Sequence, residues 1–328
     1  MRDRICAVLA AAGMLAPLPA LADDSSAHLG AGGIEFTKMA DVRMASEDLR
    51  LSPDAVRIRY EFVNDGDKDI ETVVAFPLPE IDAYEFWGTP IGRLTSDPVN
   101  FVGFKAVVDG RPIAVTVEQK AMYRGRDVTA IVKSAGLPVN IVSGRNYQRM
   151  DKLTPAQRRM LAKAGLVEFN NDQGIARWII QTRFYWTQRF PAHKTVVIEH
   201  SYKPVTGQAF FSEYDLKSKT HSADDYWKKP YCMDDATLTR VRQAIAERKA
   251  ANRNEGLLNA YSTEFILKTA NNWKGGIGRF HLTLDKLKPE NTLSLCWDGE
   301  LKKTGATTFE ATRQDFAPRM DIKFLVLE

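Results

Sequence analysis

The chain has 328 residues, with 45 Lys plus Arg against 41 Asp plus Glu and a formal net charge of +4. That balance is too mild to mark nucleic acid or an anionic membrane as the main partner. Hydrophobic residues make up 44% and charged residues 26%, an ordinary globular composition with enough length for one large core or two domains.

The first 22 residues read as an export signal. Arg2 and Arg4 precede an apolar stretch from Ile5 to Leu21 that Pro17 and Pro19 interrupt. Ala20-Leu21-Ala22 is the small-x-small pattern a signal peptidase cleaves, and Asp23-Asp24 follows at once. We expect cleavage after Ala22 and a periplasmic mature protein. The proline pair and the missing basic stop-transfer flank argue against a retained membrane helix. No later stretch is apolar enough to span a bilayer. Cys6 leaves with the leader, and its Arg4-Ile5 neighbours do not form a lipoprotein box. Cys232 and Cys296 remain. In an oxidising compartment two cysteines most simply pair with each other. Neither belongs to a Cys-x-x-Cys, and no histidine stands at ligand spacing from either.

In chain order, Val56, Ile58, Tyr60 and Phe62 alternate with Arg57, Arg59 and Glu61, the period of a strand with one wet face. A turn cluster covers Asn64 to Asp69. Ile70 to Phe76 returns as a strand and stops at Pro77-Leu78-Pro79. Phe101 to Val108, Asp109-Gly110 and Ile113 to Val117 predict a hairpin. Asp127 can cap a short helix ended by Gly136 and Pro138, and Thr154-Pro155-Ala156-Gln157 is a capping box for a second helix that stops at Gly165. Strands resume over Trp178 to Phe190 and Val196 to Tyr202. Residues from about 205 to 235 are aromatic and polar with little periodicity. A third helix follows from Asp235 to about Ala251, with Leu238, Val241 and Ile245 on one face. The remainder alternates again: Phe265/Leu267, Phe280/Leu282/Leu284, Leu293/Leu295/Trp297 and Ile322/Phe324/Val326.

This pattern predicts a mainly β fold of β-sandwich type with short helical insertions and one disulfide. We divide the chain into a leader (1–22), an N-terminal sandwich (23–205) and a helix plus C-terminal β unit (206–328). The boundary falls between 205 and 235.

Motifs with chemical potential are few. Asp65-x-Asp67-x-Asp69 starts like a calcium loop, but Ile70 replaces the expected glycine and Phe76 the distal glutamate, so a charged hairpin tip is the simpler reading. The histidines are His28, His193, His200, His221 and His281, and none forms a paired ligand spacing. His200 lies on the apolar side of its strand, as a core histidine would. His221, Ser222, Asp224 and Asp225 cluster in sequence and are the one candidate for a hydrolase centre, though nucleophilic catalysis needs spatial geometry that proximity along the chain does not supply. Gly275-Gly276-Ile277-Gly278 lacks the order of a phosphate cradle. Asp234 or Asp235 reads as a helix cap. Trp178 and Trp186 are core candidates. Trp87, Trp227, Trp273 and Trp297 sit near turns, where an exposed indole could stack on a sugar or grip a peptide.

Several blocks resemble one family. They are Ile58 to Pro79; Gly125-Arg126-Asp127-Val128-Thr129; Gly136-Leu137-Pro138; and the closing run Asn272-Trp273-Lys274-Gly275, Ile277, Asp285-Lys286, Leu295-Cys296-Trp297, Lys302-Lys303, Thr307-Thr308-Phe309-Glu310 and Asp315-Phe316. Together they resemble the exported bacterial domain-of-unknown-function family numbered forty-four twenty-four, over nearly all of the mature chain. The Phe-Pro-Leu-Pro hairpin is also similar to the vault and inter-alpha-trypsin domain, a β-sandwich, and that likeness implies fold alone. The resemblance implies no activity and passes on no catalytic residue, cofactor or metal ligand.

Three functional expectations remain. The first is a non-enzymatic protein that contacts an envelope protein or another envelope component. The second is a carbohydrate or cell-wall binding module using Trp87, Trp227, Trp273 or Trp297. The third is a hydrolase centred on His221.

Overall fold

The computed structural model describes residues 24–30, 33–86, 91–92, 94–170, 173–217, 224–251 and 253–328. The expected leader, Trp87, His221 and Ser222 lie outside the described residues.

The chain enters as β1 (Ser25–Gly30) and β2 (Gly33–Phe36), then β3 (Val42–Leu51) and β4 (Val56–Asn64). After the acidic turn come β5 (Ile70–Pro77) and β6 (Ile81–Asp82). A hairpin on Asp109-Gly110 joins β7 (Lys105–Val108) to β8 (Arg111–Ile113), followed by β9 (Thr116–Tyr123) and β10 (Arg126–Asp127). Helices α1 (Thr129–Ser134) and α2 (Pro155–Lys163) lead to β11 (Val167–Asn170) and β12 (Gln173–Ala176). The long β13 (Ile179–Phe190), β14 (Thr195–Tyr202) and β15 (Thr206–Phe211) follow. Helices α3 (Glu213–Lys217) and α4 (Asp235–Ala250) precede β16 (Leu258–Phe265), β17 (Ile277–Asp285) and β18 (Thr292–Leu295). The chain closes with β19 (Lys302–Lys303), β20 (Thr308–Phe316) and β21 (Ile322–Leu327).

Three sheets carry the architecture. An eight-stranded sheet runs β19-β20-β17-β3-β4-β14-β7-β8. A second runs β10-β9-β13-β5-β1-β2, with β6 on β13. A four-stranded sheet runs β15-β16-β21-β18. Pairing is antiparallel except at β3 and β17, which run parallel. The eight-stranded sheet therefore draws strands from both sides of residue 205.

The alternation in β4 and β14 aims Ile58, Tyr60, Phe62, Ile198 and His200 inward, where they meet Val74 and Phe76 of β5 and Phe184 and Trp186 of β13. Phe104 stacks on Phe184 at 4.3 Å between ring centroids, and Phe62 meets Phe190 at 5.8 Å. Burying each such side chain contributes about 1.5–3 kcal/mol. One face of the four-stranded sheet adds Phe265, Ile322, Phe324 and Val326 to this core. Its other face packs Phe211, Leu258, Leu325 and Leu327 against Val241 and Ile245 of α4 and against Trp227, which makes a second, smaller core. The mainly β sandwich with short helical insertions expected from the alternation is the fold found.

Capping follows the sequence closely. Thr154 Oγ1 accepts from Gln157 N at 3.3 Å, and Gln157 Oε1 accepts from Thr154 N at 2.8 Å. Asp234 caps α4 by accepting from Thr237 N at 2.7 Å. Two expected strands differ. Phe101 to Phe104 is not strand, because the Asn100 side chain bonds both the N–H and the C=O of Phe104 and takes the place of a ladder partner. The second arm of the predicted 101–117 hairpin also splits: β8 stays beside β7, while β9 crosses to pair with β13 in the other sheet.

Candidate functional site

The structure joins Cys232 to Cys296 in a disulfide that closes a separation of 64 residues. The bond ties the segment following α3 to the end of β18. In the loop-entropy description a closure of this length stabilises by about 4 kcal/mol. Trp227 lies within that segment and is 5% exposed. Its ring sits 5.6 Å from Phe211 and 4.7 Å from Tyr226. Trp227 is thus an anchor for the segment rather than a surface platform. Trp273 is 2% exposed, packs 4.5 Å from Phe62, and donates from Nε1 to the Asp24 carbonyl at 2.6 Å. Trp297 is half-buried against Phe280 and Phe316, with the Arg313 guanidinium over its ring. The expectation of exposed binding indoles is therefore corrected at Trp227 and Trp273, whose rings seal core. Both Trp178 and Trp186 are buried, as expected.

The anchored segment forms one wall of a cleft of about 470 Å³. Tyr226, Pro230 and Tyr231 supply that wall, and Tyr226 is 64% exposed. The opposite wall is the turn around β6, with Glu80, Asp82, Glu85 and Phe86. Asp82 fixes this turn by accepting from Tyr84 N at 2.8 Å, and Gln181 Nε2 donates to Glu80 at 2.6 Å. The floor is the four-stranded sheet beyond the end of α4: Gly207, Ser262, Glu264 and Lys323. Gly207 brings the backbone close to Ser262 there. A Cβ at that position would stand 2.6 Å from Ser262 Oγ.

Charge in the cleft is predominantly negative, with Lys323 the counterweight. Lys323 Nζ lies 3.2 Å from Glu264 Oε1. Burial nevertheless raises the Glu264 carboxyl above its usual range, the lysine opposing that shift. Burial likewise raises the Tyr231 phenol. The arrangement offers aromatic faces, carboxylate acceptors and a hydroxyl within a concave site. These are the elements that orient a small polar ligand or a protruding segment of a partner.

The other sequence candidates resolve as follows. At the acidic turn, Asp65 pairs with Arg43 and Lys274, Asp67 with His193, and Asp69 with Arg189 and the Ala192 N–H. Each carboxylate is engaged by a protein group. His281 lies between Asp48 and Glu310 on an exposed sheet face, and His28 faces Glu35 across β1 and β2. His200 is fully buried among Tyr60, Phe76, Phe104 and Trp186. Its Nε2 is 3.7 Å from Asp24 Oδ2, too long for a hydrogen bond, and burial pushes the imidazole pKa down to about 3, so the ring is neutral. Asp224 and Asp225 open the helical turn Asp224–Lys228, and His221 and Ser222 lie outside the described residues. Among the described residues no group of three or more His, Cys, Asp or Glu is arranged to hold a metal ion, and no helix is long and apolar enough to cross a membrane.

Sequence reasoning singled out the stretch from 205 to 235 as aromatic and aperiodic but did not select Tyr226 or Tyr231, and it missed Glu80, Asp82 and Glu85 altogether. The one available signal was a polar, aromatic stretch ending at a cysteine.

Comparisons with known proteins bear on the family alone. No curated protein matches the chain. A solved structure from Legionella pneumophila, provisionally described as a nutrient-binding protein, has a TM-score of 0.44 and 12% identity, covering 94% of this chain and 70% of that one. A likeness of that strength informs neither fold nor ligand. The family described as Domain of unknown function (DUF4424) matches residues 22–325, so the chain belongs to the DUF4424 family.

Proposed function

We propose that this protein is an exported, periplasmic binding protein that acts by contact rather than catalysis, through the cleft between the sandwich and the four-stranded sheet. The observation that carries this reading is the cleft itself: stretches of chain far apart in sequence converge on one concave site of about 470 Å³ lined by aromatic rings and carboxylates. Export is supported by the basic, apolar, small-x-small leader ending at Ala22 and by the disulfide, a bond of oxidising compartments. The occupant is an envelope protein or an envelope component.

A cell-wall glycan is the second reading, favoured by Phe86, Tyr226 and Tyr231 standing beside carboxylates in that cleft, since sugars are gripped by ring faces and acceptor oxygens together. One experiment tests both. Mature protein and the Tyr226→Ala/Glu85→Ala variant are each mixed with insoluble cell wall and, separately, with envelope extract. Both positions are exposed, so the variant keeps its fold. The reading expects wild type to be retained by one of the two materials and the variant to lose at least about tenfold. Equal retention of wild type and variant would remove the cleft from the function.

A further inference from the structure

The outward face of the eight-stranded sheet, sharing no lining residue with the cleft, carries a second concavity of about 310 Å³. Its registers set Lys105 opposite Ser201, Ser201 opposite Arg57, and Arg57 opposite Arg50. Directly opposed residues on neighbouring strands point to the same side, so these four side chains form one row across β7, β14, β4 and β3. The row reads cation, hydroxyl, cation, cation. Like charges placed directly opposite destabilise a sheet, and Arg57 faces Arg50 in that way.

Among the described residues the neighbouring acids engage one of the row's three cations and leave two without an ion pair. Arg50 is engaged by Asp285 at 2.8 Å, and Arg59, one row along, by Glu61 at 2.7 Å. Asp48 is drawn to His281 at 3.2 Å. Glu199 stands in the Arg59 row, opposite Val107 and Arg59. Among the described residues the side chains of Arg57 and Lys105 form no ion pair and no hydrogen bond. They flank a short Ser201 side chain, and with strands about 4.8 Å apart their Cα atoms stand about 10 Å from each other. Long basic side chains can close over that gap onto one anion.

We infer that this row is a binding site for a phosphate group. Arg57 supplies a planar fork that fits two phosphate oxygens, Lys105 a point charge from the other side, and the Ser201 hydroxyl a donor from beneath. A phosphate monoester carries between one and two negative charges near neutral pH, matching the two cations without partners. Arg50 stands behind Arg57 with its charge taken up by Asp285, so Arg57 and Lys105 carry the site. The phosphate can come from a soluble ester or from a lipid headgroup.

The experiment uses mature protein and the Arg57→Gln/Lys105→Gln variant, with Arg242→Gln on the solvent face of α4 as control. Inorganic phosphate and glycerol 3-phosphate are titrated calorimetrically at low salt, and phosphatidylglycerol vesicles are tested by co-sedimentation. The site predicts binding by wild type and control, a loss of at least about tenfold in the double variant, and weakening as salt rises. Binding of the soluble phosphates supports the site with a soluble ester as its ligand. Binding of vesicles alone supports it with a lipid headgroup. Failure of wild type to bind either probe, or undiminished binding by the double variant, overturns it. The cleft variant Tyr226→Ala/Glu85→Ala is expected to bind phosphate as wild type does, so the two sites fail separately.

Discussion

The sandwich and the segment around α4 are stabilised in different ways. The larger core gathers side chains from three sheets, and fully buried rings such as Phe62, Phe76, Phe184 and Phe190 interlock across it. The smaller core has one sheet face, α4 with Leu216 of α3, and Trp227, and its covering segment is tied down by Cys232–Cys296. Where alternation supplies two buried faces, packing alone suffices. Where one sheet face must be covered by an aperiodic segment, a covalent clasp substitutes for area. The cleft lies at the junction, with one wall beside the sandwich and one clasped wall.

The largest expected effect is in the sandwich. Phe76→Ala removes a ring that touches Phe104, His200, Tyr202 and Phe265, and is expected to cost about 3–5 kcal/mol, read as a lower midpoint in denaturant for the whole chain. If only the α4 region melts, the division drawn above is wrong. The clasp comes next. Cys232→Ser/Cys296→Ser is expected to lose up to about 4 kcal/mol, with the loss expressed locally and with weaker retention in the cleft assay.

Acid sharpens the comparison from the other side. The folded pKa of His200 is depressed to about 3, so its contribution is complete above the unfolded value near 6.5 and is lost as pH falls toward 3. The slope is at most about 1.4 kcal/mol per pH unit, and it acts on the sandwich. His200→Gln is expected to flatten stability against pH in that window whatever its effect at neutral pH. An unchanged slope would show that the ring is charged in the fold. The smallest effect is peripheral: Thr154→Ala removes one half of the capping box of α2 and is expected to cost about 1 kcal/mol in a thermal melt.

Much of the sandwich was legible because β4, β13, β14, β17 and β21 keep an apolar alternation that only a half-buried strand explains. The central strand β3 was not. Its register shifts between Met44 and Ser46, so the inward phase jumps from Met44 to Glu47, and the buried Glu47 reads as a surface residue. Strand β20, on the far side of β17, was hidden by its own composition, Thr308 to Phe316 being mostly polar. The disulfide was legible from the count of cysteines and the compartment the leader leads one to expect. The cleft was not, because its lining comes from residues 79–86, 179, 205–207, 226–231, 262–264 and 323, and no local pattern announces that they meet. Trp227 and Trp273 misled for the opposite reason: nearness to turns says where a ring starts, while burial depends on which sheet face lies beneath.

Hydrogen exchange followed by mass spectrometry, comparing the oxidised protein with the same protein after reduction of Cys232–Cys296, tests the organisation most directly. The account predicts faster exchange over 224–251 and β15, with β4, β5, β13 and β14 as protected as before. Uniform acceleration across both regions, or none in either, would contradict a clasped wall standing on an independent sandwich.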